Sequence, residues 1–144
     1  MTHKVVAVAY DRLCTFEFGC AVEFFALPRP ELTVPWYEFS VCAAERGPLR
    51  ALGGIELNVR HSLRVLDGAD TIVIPGWRDP DEAPPEELLA RLRRAHARGA
   101  RLASICSGVF VLAASGLLAG RRATTHWKYV TKLTQRYPSI EVVA

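Results

Sequence analysis

The chain alternates two kinds of segment along its pattern of apolar and polar positions. Continuous apolar runs of strand length, Lys4-Val5-Val6-Ala7-Val8-Ala9-Tyr10 and Asp70-Thr71-Ile72-Val73-Ile74-Pro75-Gly76-Trp77, are what a parallel strand buried on both faces requires. Trp36 to Ala43 alternates and then turns apolar, a further strand, and Arg101 to Ile105 is another, ending at Cys106. Between these runs, Thr15 to Leu27 has apolar positions at helical spacing and is stopped by Pro28 and Pro30. The acids and prolines of residues 78–87 lead into a second helix from Leu88 to Arg98, ended by Gly99. Val109 to Ala114 is apolar on every side, so that helix must be buried, and Lys128 to Arg136 makes a fourth. Ile55 to Val59 alternates with period two, as a short edge strand or hairpin does, Ser62 to Leu66 suits a brief helix, and Ser139 to Val143 reads as a last strand. Strands alternating with helices predict an α/β fold, a doubly wound, mostly parallel sheet in a flavodoxin-like three-layer sandwich.

Composition narrows this to one globular domain, since half of the 144 residues are apolar and 23% are charged. No apolar run approaches the roughly 18 residues that span a membrane. The N-terminus runs straight into a strand, so neither a signal peptide nor a membrane anchor is expected. Cys14, Cys20, Cys42 and Cys106 form no Cys-x-x-Cys pair, which argues against a disulfide scaffold or zinc ribbon and favours a reducing cytoplasm. A net charge of +3 is too mild to imply a polyanion partner. The five arginines between Arg91 and Arg101 interleave with Leu88, Leu92 and Ala95 and lack an aromatic platform, so they read, with His96, as a solvated helix face. No metal-ligand spacing, phosphate loop or dinucleotide fingerprint occurs, so no metal and no cofactor are expected.

The candidate chemistry lies at Ser104-Ile105-Cys106-Ser107-Gly108, where a strand turns sharply into a helix and the cysteine sits on the turn. Unpaired N–H groups of a first helical turn and the helix dipole favour a thiolate, so the Cys106 pKa is expected to fall. Gly108 allows a close approach of backbone or ligand, as in the nucleophile elbows of hydrolase sheets, although Ser104 stands where that pattern has glycine. The reading as an ordinary small buried hydrophobe stays open beside the reactive one. In an open sheet the ligand crevice lies outside the carboxyl ends of the strands. That rule brings Glu17, Gly76 and Cys106 to one edge, with His126 on a loop beyond the helix that leaves the elbow.

These residues resemble the ThiJ/PfpI superfamily, the class I glutamine amidotransferase-like fold, over essentially residues 1–144. Leu13-Cys14-Thr15-Phe16-Glu17-Phe18-Gly19, Ile74-Pro75-Gly76-Trp77-Arg78-Asp79, the Cys-Ser-Gly elbow and Ala119-Gly120-Arg121-Arg122-Ala123-Thr124-Thr125-His126-Trp127 are similar to AraC-type transcriptional regulators whose N-terminal half is such a domain. The resemblance implies a cytoplasmic, homodimeric regulator. In it this domain would sense a small ligand or redox state at a pocket of Gly76, Trp77, Cys106, Ser107, Gly108 and His126. DNA would be bound only through a C-terminal helix-turn-helix region absent from this chain, and the last strand and helix that complete the family's domain are expected to be missing too. Isonitrile hydratases share the acid near the first helix, the elbow and the Thr-Thr-His-Trp run. They imply the alternative of a lyase in which Cys106 attacks carbon, Glu17 delivers a proton and Ser107 orients water. Ser107 stands where peptidase-like members have His, and after Cys106 only His126 and Glu141 are offered for a triad, so hydrolysis is not expected.

Overall fold

A computed structural model describes residues 1–144. Five parallel strands make the central sheet: β1 (Lys4–Ala9), β2 (Glu38–Ala43), β5 (His61–Ser62), β6 (Thr71–Pro75) and β7 (Arg101–Ile105), in the order β5-β2-β1-β6-β7. The register is continuous, from Lys4↔Glu38 to Ala9↔Ala43 between β1 and β2, and from Thr71↔Arg101 to Pro75↔Ile105 between β6 and β7. Val5 to Tyr10 and Ile72 to Ile74 are all buried, as their unbroken apolar runs require.

Helix α1 (Thr15–Ala26) carries the chain from β1 to β2, and α2 (Glu86–Ala97) carries it from β6 to β7. The two crossovers step in opposite directions along the sheet. Right-handed connections therefore place α1 and α2 on opposite faces and make the order reverse at β1 and β6. On α2, Leu88, Leu89, Leu92 and Ala95 are buried, and they join β1, β6 and Leu66 in one core. A second, smaller core gathers Val109, Phe110 and Ala113 of α3 (Val109–Ala114) with Leu133 of α4 (Val130–Arg136) and Ile140.

The weaker sequence signals resolve into short elements, the hairpin expected around Ile55–Val59 among them. The Ile55–Val59 segment supplies only β4 (Glu56–Leu57), which pairs antiparallel with β3 (Leu49–Arg50) around Gly53 and Gly54, both at positive φ. The edge of the main sheet is β5, two residues long and so without any periodicity to read. The last strand contracts to β9 (Glu141–Val142) and pairs with β8 (Arg122–Ala123) outside the main sheet. The arginines of α2 are less solvated than expected. Arg91, with a side chain 13% exposed, pairs with Asp67 and Glu87, and Arg98 donates to the carbonyls of Leu66 and Ala69. No helix is long and apolar enough to cross a membrane.

Carboxylate pairs tie the loops to this frame. Asp11 accepts the Arg50 guanidinium at 2.6 Å and the Arg50 N–H at 2.8 Å, joining the end of β1 to β3. Arg78 bridges Glu45 and Glu82 while stacking 4.4 Å above the Trp77 ring. Asp81 accepts Lys132 and Arg136. Arg50 holds the Asp11 carboxyl below the usual range, Lys132 and Arg136 do the same to Asp81, and Arg78 to Glu82. A carboxyl depressed in the folded state contributes stability that is present above its unfolded pKa of about 4 and is lost as pH falls through the lower folded value. The urea midpoint should therefore stay level between about pH 6 and 5 and drop below about pH 4. Arg50→Gln should flatten that drop, and a midpoint unchanged down to about pH 3 would contradict this account.

Candidate functional site

At the carboxyl end of β7 the chain makes a single tight turn, Cys106–Gly108, before α3 begins. Cys106 has φ +56°, in the left-handed region that a side chain seldom adopts. Two contacts hold it there. The buried Ser107 hydroxyl accepts the Trp77 N–H at 2.9 Å and donates to the Trp77 carbonyl at 3.0 Å, clamping both sides of one residue of the neighbouring strand's loop. Gly108 lies so close to β6 that a Cβ would stand 2.2 Å from the Ile74 carbonyl oxygen. From the other side, the Thr125 hydroxyl donates to the Cys106 carbonyl at 2.9 Å.

Opposite the elbow, the turn after β1 supplies Cys14, and α1 supplies Glu17 in its first turn. Tyr10 orders this corner: its hydroxyl donates to the Pro75 carbonyl at 2.9 Å and accepts the Cys14 N–H at 3.3 Å. Gly76, at φ +86°, has no room for a side chain, since a Cβ would meet the Cys14 side chain at 2.8 Å and the Tyr10 hydroxyl at 2.9 Å. Burial pushes the Tyr10 hydroxyl far above its ordinary value and keeps it a neutral donor.

The Cys106 thiol is pushed up, not down as the elbow geometry suggests. Burial is the largest cause, and the Glu17 carboxylate and Cys14 add to it, while the Ser107 N–H acts in the opposite sense. A short turn with one favourable N–H does not outweigh desolvation beside an acid. Nor does the Gly76-Trp77 turn offer free donors. The Gly76 N–H already points at the carbonyls of Ile74 and Ile105, both at 3.1 Å, and the Trp77 N–H is held by Ser107.

Of the residues singled out in the sequence, Cys106, Glu17 and Gly76 converge with Ser107 and Gly108. Trp77 is 2% exposed, and its ring N–H donates to the Glu82 carbonyl, so it lies beneath the site as a packing element. Ser107 is occupied by its clamp. His126 is exposed, with Nδ1 accepting the Lys128 N–H at 3.2 Å, and the contact that the Thr-Thr-His-Trp run makes with the elbow comes from Thr125. Tyr10, Cys14 and Thr125 were missed in the sequence; Tyr10 was legible in principle as a polar-tipped aromatic closing a buried strand at the site's edge. No group of three metal-ligating side chains occurs.

Comparison with known proteins gives a match of residues 3–143 to the DJ-1/PfpI family. A Streptomyces lividans protein described as an uncharacterized protein in the cpoL 5' region is 33% identical over 138 residues, covering 95% of this chain and 96% of that protein. The HTH-type transcriptional regulator CdhR of Pseudomonas aeruginosa is 34% identical over 74% of this chain, and the isonitrile hydratase of Pseudomonas putida is 35% identical over 57%. The matched parts span 32% and 36% of those two proteins. Among solved structures, an AraC family transcriptional regulator from Pseudomonas putida superposes with a TM-score of 0.78 at 22% identity, over 98% of this chain and 76% of that one. At that identity the likeness concerns the fold.

Two substitutions test the site's construction. Ser107→Ala leaves the buried Trp77 N–H and carbonyl without partners and should lower stability by about 2 kcal/mol, read from the denaturant midpoint; no shift would mean that the clamp is not formed. Glu17→Gln removes a negative charge beside Cys106, so its thiol pKa should fall. Alkylation of Cys106 by iodoacetamide, followed on its peptide by mass spectrometry, should then begin at lower pH. An unchanged pH profile would place Glu17 away from the thiol. Cys42, buried and pushed up to about 12, serves as the unreactive reference.

Proposed function

The chain belongs to the DJ-1/PfpI family, and we propose that within it this domain is the sensor half of an AraC-type transcriptional regulator, binding a small ligand at the Glu17–Cys106 corner. The observation that carries this reading is the state of the elbow. Burial and the Glu17 carboxylate push its thiol pKa up, and both amides of the facing Gly76-Trp77 turn are engaged within the chain. A nucleophile with little thiolate and no free oxyanion donors is poorly equipped for acyl transfer. The same features suit recognition: a protonated thiol, a carboxyl and a shaped, strained turn. Relatives described as HTH-type transcriptional regulators support the regulatory assignment. DNA contact would be made by a separate helix-turn-helix region, and the regulator would act as a cytoplasmic homodimer.

A second reading, hydration of a small carbon electrophile, is favoured by one observation, the Glu17 carboxyl set beside Cys106. There the Glu17 carboxylate would take the thiol proton and pass it to the substrate as the sulfur adds to its carbon; water would then add to that carbon, and the C–S bond would break to return the thiol.

Reading the gene beyond the Ala144 codon tests the regulator assignment: an in-frame helix-turn-helix region is expected, and an immediate stop codon would sink it. Incubation with an alkyl isonitrile separates the two readings. No turnover is expected, whereas formamide production that disappears in Cys106→Ser would establish the hydratase instead.

A further inference from the structure

Along the same carboxyl edge of the sheet, beyond β1, the chain leaving β2 and the chain around β5 enclose a recess of about 630 Å³. This is the size of a small-metabolite site, in the place where open parallel sheets bind ligands. Its lining is mostly polar, with Ala43, Ala44, Val59 and the buried Leu63 as its apolar members. Around it stand Arg46, Arg60 and Arg64.

The charges here are uneven. Two acids line the recess, and each is already matched. Glu45 accepts the Arg78 guanidinium and the Asp11 N–H, and Glu87 accepts Arg91. The guanidinium groups of Arg46, Arg60 and Arg64 hold no ion pair or hydrogen bond within the chain. Arg50, Arg78, Arg91, Arg93, Arg98 and Arg136 bind carboxylates or carbonyls, and although Arg94, Arg101 and Arg121 are unpaired too, three unpaired guanidinium groups gather around this one recess. Three like charges around one concavity repel one another, and an anion seated between them removes that repulsion. Guanidinium groups offer paired N–H donors that fit the oxygens of a tetrahedral dianion.

We propose that this recess binds a phosphate group, carried by a small, polar phosphorylated metabolite. The site is separate from the Cys106 corner, and the inference does not depend on the sensor reading of that corner.

Calorimetric titration of the whole chain at low salt tests it, with inorganic phosphate and ribose 5-phosphate as probes. Saturable binding with one site per chain is expected, weakened roughly tenfold in Arg60→Gln/Arg64→Gln. It should be preserved in Arg94→Gln/Arg121→Gln, which removes the same charge from exposed positions outside the recess, with both variants keeping the parent's melting temperature. Tighter binding of the ester supports an organic phosphate, and equal binding of the two probes supports a phosphate site that reads the free anion. Absence of saturable binding, or equal weakening in both double variants, overturns the proposal. So does binding of a DNA duplex that depends on Arg60 and Arg64 while neither small probe binds.

Discussion

The structure depends on the near-contact between Gly108 and β6. With the Ile74 carbonyl only 2.2 Å from where a Cβ would stand, no other residue lets the first turn of α3 come this close to the sheet. That approach brings Ser107 onto both polar groups of Trp77 and forces Cys106 to φ +56°. Gly76 is the matching concession on the β6 side, free of a side chain where Cys14 and Tyr10 press in. The strained cysteine is thus the result of two glycines, one on each of two adjacent strand ends, and the hydroxyl between them locks the arrangement.

What the elbow can do follows from its surroundings more than from its shape. Elbow geometry exposes a side chain and aims it, but protonation is decided by the balance of dipoles, charges and water around it. Here the balance favours the thiol. Burial and the Glu17 carboxylate act against ionisation, and one peptide N–H from Ser107 is the opposing influence. Two chains with the same backbone at this turn can therefore differ in chemistry according to what stands opposite the sulfur.

The main strands and long helices were legible because their signal is long. Five consecutive buried residues in β1 or four buried residues at helical spacing on α2 leave a readable imprint. Convergence of Glu17, Gly76 and Cys106 was legible from topology alone, since all three follow strand ends at one edge. The thiol's protonation was not, because desolvation is a property of tertiary packing and leaves no mark on the local Cys-Ser-Gly pattern. Nor was the role of Ser107, whose partner lies thirty residues away in Trp77. Two-residue strands such as β5 and β8 escaped for a simpler reason: they are too short to show periodicity and are defined only by the strand they pair with. His126 drew attention as the more reactive residue of its run, while the contact to the elbow comes from the less conspicuous Thr125 beside it.

Helix α3 faces two ways within six residues. Val111 and Leu112 belong to the main core, while Val109, Phe110 and Ala113 belong to the smaller one with Leu133 and Ile140. The smaller core has five buried side chains, too few to stand alone. Its order is borrowed from the main core through α3 and from the elbow through the hydroxyl of Thr125. A small cluster of this kind, with few buried apolar contacts of its own, has the makings of a local opening unit. Its polar ties to the rest of the chain run from Lys132 and Arg136 to Asp81 and from Thr125 to the carbonyl of Cys106, so a local opening of that unit also frees the backbone of the strained residue at the centre of the site.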